Sequence, residues 1–109
     1  MKQLSSGITI SPELQAICPD LVLGCLSCQV QISAAPPALC AEVATYCADM
    51  AKDIALADVN QQPAIARTRA AYRALGKEPS RYRPSAEALM RRVAQGKGLY
   101  QVNNVVDLL

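Results

Sequence analysis

The chain has 109 residues, 51% hydrophobic and 18% charged, which admits one domain and excludes both a disordered chain and a protein with two cores. A domain of this length buries roughly two thirds of its unfolded surface at most. The net charge of +2 conceals an uneven distribution that says more than the sum.

Residues 1–60 carry two basic and six acidic side chains, whereas residues 61–109 carry nine basic and three acidic ones. The second half is a basic surface. Such a split suggests contact with a polyanion, although helices also display Arg and Lys simply for solubility. No apolar stretch reaches the roughly 18 residues of a membrane helix, because Leu21 to Leu26 is broken by Gly24 and followed by Ser27 and Gln29. The first twenty residues hold Lys2, Pro12, Glu13, Pro19 and Asp20 with no apolar core and no small-residue cleavage pattern, so the reading is a cytoplasmic protein without a membrane partner.

In chain order, Gly7-Ile8-Thr9-Ile10 is short and β-branched, and Ser11-Pro12-Glu13 reads as the cap and first turn of a brief helix to about Cys18. Leu21 to Ile32 alternates, with Leu26, Cys28, Val30 and Ile32 on one side, which predicts a strand with one face buried. Ala34-Ala35-Pro36-Pro37 ends it. From Ala38 the apolar residues Leu39, Cys40, Val43, Ala44, Cys47, Met50, Ala51 and Ile54 form a helical stripe opposite Glu42, Asp49 and Asp53. A second helix spans 64–75, where Ile65, Thr68, Tyr72 and Leu75 share a face and Gly76 supplies a left-handed stop. Two prolines within 77–84 exclude regular structure there. Ser85 then caps a third helix containing Leu89, Met90 and Val93 and closed by Gly96. Asn103 and Asn104 are placed to cap a helix starting near Val105, and the end is apolar: Val102, Val105, Val106, Leu108 and Leu109. Tyr46 and Tyr72 are expected to pack.

Five cysteines, Cys18, Cys25, Cys28, Cys40 and Cys47, are an odd number without an export signal, which argues against disulfides. Cys25, Cys28, Cys40 and Cys47 are in principle four thiolates for zinc. On a strand, however, positions three apart face opposite sides of the sheet, so the expectation is buried free thiols and no metal. There is no histidine, no Ser or Cys has a base partner in sequence, and no catalytic residue or cofactor is assigned. Glu87 and Arg91 read as an i,i+4 pair stabilising a helix by a few tenths of a kcal/mol.

Lys77-Glu78-Pro79-Ser80-Arg81-Tyr82-Arg83-Pro84-Ser85-Ala86-Glu87-Ala88-Leu89-Met90-Arg91-Arg92, with Gly96-Lys97-Gly98-Leu99-Tyr100 and Val102-Asn103-Asn104-Val105-Val106-Asp107, resembles the B3/B4 domain. Ile8-Thr9-Ile10-Ser11 and Leu23-Gly24 are also similar to it. That module lies within the beta subunit of bacterial phenylalanyl-tRNA synthetase, where it resembles an editing compartment hydrolysing mischarged tyrosyl-tRNA, and it also occurs free-standing. The resemblance implies an α+β fold, here short strands at the N-terminus followed by three helices. It also implies a single, incomplete domain over 1–109 that corresponds to the first half of the family unit, with most of the editing pocket beyond the match. Asn103, Asn104 and Asp107 would then lie beside that pocket.

Arg81, Tyr82 and Arg83 in the loop, with Arg91, Arg92 and Lys97 further on, are the candidate RNA-binding set: guanidinium groups for phosphate and a ring for stacking. Against this stands a structural role, since Arg framed by prolines fixes loops and Arg near a helix C-terminus complements its dipole. The expected function is a tRNA-binding or RNA-binding module, catalytically incompetent alone. The alternative is an interaction protein that assembles through its apolar end with a second copy or a complementing chain.

Overall fold

The computed structural model describes residues 7–109, together with the backbone of Lys2 and Gln3. The protein is mostly helical. Strands β1 (Lys2–Gln3) and β2 (Thr9–Ile10) pair antiparallel, with Lys2 opposite Ile10 and Gln3 opposite Thr9. Helices α1 (Pro12–Ile17) and α2 (Pro37–Asp53) follow, then a 3₁₀ helix (Leu56–Gln61), α3 (Pro63–Ala74), α4 (Ser85–Ala94) and α5 (Asn104–Leu108).

Local punctuation sets these boundaries. Pro12, Pro37 and Pro63 occupy the first turns of α1, α2 and α3, where the missing N–H costs nothing and the fixed φ suits the helix. Ser11 caps α1 as expected, accepting from Leu14 N at 3.2 Å. Helices α3 and α4 close in the same way. Gly76 and Gly96, at φ +78° and +75°, turn the chain left-handed so that Gly76 N reaches Arg73 O and Lys77 N reaches Tyr72 O. Gly96 N likewise reaches Val93 O, and Lys97 N reaches Arg92 O, all within 3.0 Å. This is the Schellman arrangement, which satisfies carbonyls the helix leaves open, and each time it places a lysine just beyond a negative helix end. Asn103 caps α5, its Oδ1 accepting from Val105 N and Val106 N at 3.0 and 2.9 Å.

Four sequence expectations are corrected. Residues 21–32 are not a strand. A strand needs a ladder partner, and no described segment lies alongside to supply one. Ser85 does not cap α4; Pro84, itself buried, holds the cap position with extended backbone, and Ser85 is the first helical residue. The cysteines are not uniformly buried. Cys47 is, Cys18 and Cys40 are half-buried, and Cys25 and Cys28 are exposed, because the segment that carries them has nothing to pack against. Tyr46, expected to pack, is 67% exposed.

The core is small: besides Pro79 and Pro84, the buried apolar residues among those described are Ile10, Cys47, Val59, Ile65 and Val93. Val59 anchors it from the 3₁₀ helix, which touches both α3 and α4. The molecule is a slab of 43 × 39 × 20 Å with a radius of gyration of 16.6 Å, against about 13 Å for a compact domain of this length. A slab that thin has little interior. Its largest fully buried side chain is a carboxylate, Glu87.

Glu87 is held from two helices. Arg69 of α3 donates from Nη1 to both carboxylate oxygens, at 2.9 and 3.0 Å, and Arg91 of α4 donates to Oε1 from Nη2 at 3.1 Å and Nε at 3.3 Å. Burial pushes the carboxyl up, but hydrogen bonds and charge from Arg69 and Arg91 outweigh it, so its pKa lies below the ordinary 4.5. The pair expected from spacing alone is present, and what spacing did not reveal is that it sits inside the fold.

Removing Glu87 leaves a buried Arg69 guanidinium without its counter-charge. Glu87→Ala is expected to lower stability by about 3 kcal/mol in urea unfolding, whereas the double change Arg69→Met with Glu87→Leu is expected to recover most of it. Because the folded-state pKa is depressed, the stabilisation is complete above the unfolded value near 4.5 and disappears as pH falls through the folded value. Stability measured from pH 6 to pH 2 should therefore fall in the wild type, with a smaller slope in the double variant.

Candidate nucleic-acid interface

The loop 77–84 is irregular yet firmly built. Pro79 and Pro84 are buried, and Arg81 N and Tyr82 N both donate to Glu78 O, at 3.1 and 2.9 Å. Ser80 N donates to Glu78 Oε1 at 3.2 Å, while Ser80 Oγ accepts from Arg69 Nη2 at 3.2 Å. Arg69 thus ties the loop to the same carboxylate that joins α3 and α4.

On this support the outward side chains are basic and aromatic. Tyr82 is 48% exposed, with Lys77 Nζ 5.2 Å and Arg81 Cζ 5.4 Å from its ring centre. Both lie within cation–π range, which stiffens the ring and concentrates positive charge beside it. Arg81 and Arg83 are exposed. The loop therefore gathers Lys77, Arg81, Tyr82 and Arg83 at the N-terminal end of α4.

The remaining basic candidates lie at the other end of that helix, about 15 Å away for ten residues. Arg91 spends its guanidinium on Glu87 and is only 22% exposed along its side chain. Arg92 donates Nε to Gly98 O at 3.2 Å and stands 5.2 Å from the ring centre of Tyr100. Lys97 is exposed. The six residues are thus not one patch: Arg81, Tyr82 and Arg83 form one cluster, Arg92 and Lys97 a second with Tyr100, and the half-buried Arg91 is committed to Glu87.

Asn103, Asn104 and Asp107 divide similarly. Asn103 caps α5. Asn104 clasps the chain around residue 32, its Nδ2 donating to Gln31 O at 2.9 Å and its Oδ1 accepting from Ser33 N at 3.1 Å. Asp107 alone borders a groove of about 650 Å³ between α2, α4 and residues 98–102, walled by Val43, Cys47, Leu89 and Val93. Its Oδ1 accepts from Val102 N at 2.9 Å, while Oδ2 is buried without a partner among the described residues. No three His, Cys, Asp or Glu side chains among the described residues gather to hold a metal ion, and no described helix is long and apolar enough to cross a membrane.

Sequence reading missed Arg69, Ser80 and Lys77. Arg69 had a signal: it lies four residues after Ile65, on the apolar face of α3, where a charged residue calls for a buried counter-charge. The chain matches no family model, no curated protein and no solved structure.

Asn104 holds residues 31–33 with side-chain bonds at both oxygen and nitrogen, so Asn104→Ala is expected to speed amide exchange at Ser33 several-fold. Exchange within α4 should stay unchanged.

Proposed function

We propose that the protein is an RNA-binding module whose contact surface is the 77–84 loop. The observation that supports this most is the exposed Tyr82 ring flanked by Lys77 and Arg81 on a loop pinned by buried prolines. Unstacked bases bind aromatic faces, and neighbouring cations take the phosphates. A pre-set loop loses little freedom when it binds. The resemblance of residues 77–107 to the B3/B4 domain favours tRNA as the class of RNA, with Lys77, Arg81 and Arg83 as phosphate contacts and Tyr82 as the stacking group.

Arg92, Tyr100 and Lys97 form a second, smaller cationic and aromatic cluster. Both clusters follow a Gly-Lys helix end, so a strand of RNA passing along α4 meets positive charge at each end of that helix. Arg91 is left out of the contact surface, since its guanidinium already serves Glu87.

A second reading, an interaction protein that assembles through its apolar end, is supported by Val102 and Val106, which are 57% and 49% exposed along the 650 Å³ groove, and by Leu108, which is 72% exposed. Surface of that kind is what protein interfaces cover.

Fluorescence anisotropy with bulk tRNA between 50 and 200 mM salt separates the two readings. RNA binding requires affinity to fall steeply as salt rises. Replacing both Arg81 and Arg83 by Ala should lower the slope of log affinity against log salt by about two, and Tyr82→Ala should weaken binding about tenfold with the slope unchanged. Affinity that is undetectable, or that does not respond to salt, would remove the RNA reading and leave the interaction reading.

A further inference from the structure

The motif Cys25-Leu26-Ser27-Cys28 belongs neither to the core nor to the 77–84 loop. Expected inside the fold, both thiols stand outside it. The other cysteines are engaged with the fold to differing degrees: Cys47 is buried, and Cys18 and Cys40 are half-buried. Among the described residues only the sulfur of Cys40 has hydrogen-bond partners, accepting from Gln101 Nε2 at 3.2 Å and donating to Ala35 O at 3.7 Å.

The backbone that carries the pair is equally unengaged. No backbone hydrogen bond joins residues 22–30 to another described residue, and every residue from Val22 to Ala34 is exposed. A Cβ placed on Gly24, next to Cys25, would meet nothing within 4 Å. A small molecule can therefore reach either sulfur, and the chain can bend there without giving up a backbone hydrogen bond to the rest of the fold.

Spacing decides what the two sulfurs do together. Three steps of extended chain set Cα atoms about 10 Å apart, whereas a disulfide needs about 4.4–6.8 Å. A β-turn that begins at Cys25 and ends at Cys28 brings them within about 7 Å, and a type I turn accepts most residues at its two central positions, here Leu26 and Ser27. With both thiols free, residues 25–28 make no turn. Cys40 and Cys47 have no such option, since both are fixed on α2 and seven helical residues separate them by about 10 Å along the axis.

We infer that Cys25 and Cys28 are a reversible dithiol–disulfide site, oxidised by a small disulfide of the glutathione kind and closed through a turn over 25–28. The thiolate of one cysteine attacks a sulfur of glutathione disulfide, the S–S bond breaks, and one glutathione leaves as its thiolate, which takes up a proton in place of the one the cysteine gave to solvent. The second cysteine then attacks the protein sulfur of the mixed disulfide, so that the internal bond forms and the second glutathione is released. Two protein thiols lose two electrons, and one glutathione disulfide becomes two thiols. Across a link this short the resolving thiol acts at an effective concentration of roughly millimolar order or above, which favours the internal bond over a lasting mixed disulfide. The ends of the segment are held, Leu21 N donating to Cys18 O at 3.1 Å and Asn104 gripping Gln31 and Ser33. Closing the ring therefore shortens the tether that runs from the end of α1 to α5.

The test incubates the reduced full chain in glutathione buffers of increasing oxidised fraction, alkylates the remaining thiols, and maps the products by mass spectrometry after chymotryptic digestion. Cys25 and Cys28 are expected to lose two hydrogens together and to be linked to each other, while Cys18, Cys40 and Cys47 stay reduced; dithiothreitol should restore both thiols. Cys25→Ser and, separately, Cys28→Ser change exposed side chains, so the helical circular dichroism should be intact, and each variant should stop at a mixed disulfide with one glutathione. Thiols at 25 and 28 that stay free or stop at the mixed disulfide in the wild type, a bond from either to Cys18 or Cys40, or a disulfide between two chains as the main product would each overturn the inference. So would an internal disulfide that forms as readily in Cys28→Ser as in the wild type.

Discussion

The arrangement depends on one buried carboxylate. Glu87 is fully covered, yet it is the group on which α3, α4 and the loop between them converge: Arg69 reaches it from one helix, Arg91 from its own, and Arg69 extends a further bond to Ser80. In a slab 20 Å thick with so few buried apolar residues, shape-filling alone does little to select how helices lie together. A buried ion pair is weak evidence of net stability, but a strong penalty falls on any arrangement that separates its members. Here that penalty ties α3 to α4 and to the loop that carries Tyr82.

The same network also occupies several of the side chains between Lys77 and Arg92. Within Lys77 to Arg92, Pro79 and Pro84 are buried, Ser80 binds Arg69, Glu78 shapes the turn, and Glu87 takes both guanidinium groups. Much of the pattern is framework. The chemistry offered to solvent comes from the side chains left over, Arg81, Tyr82 and Arg83, together with Lys77.

What the sequence made legible were features coded by a few adjacent residues. Ser11 before Pro12, Asn103 before the closing helix, Gly76 and Gly96 after theirs, and the long apolar stripe of α2 all act within one or two turns. Features that depend on distant partners were read less well. Glu87 was paired with Arg91, four residues away, while Arg69, eighteen residues away, was passed over despite sitting on an apolar face. The strand expected over 21–32 has the right alternation but no neighbour among the described residues, and the exposure of Cys25 and Cys28 follows from the same lack. For the basic candidates, sequence proximity joined residues that α4 separates, and only the burial of Glu87 reveals that Arg91 is committed to an internal partner.

The proline and glycine-lysine signals that open and close the helices have a last consequence. Each is satisfied by neighbours in the chain and asks nothing of the remainder of the molecule. Helical content and helical arrangement therefore rest on different foundations: the first on local backbone chemistry, the second on Glu87 and a handful of apolar contacts. When those few contacts are weakened, the first thing to go is the relative placement of the helices, and a looser body keeping much of its helical signal is the intermediate that such a division favours.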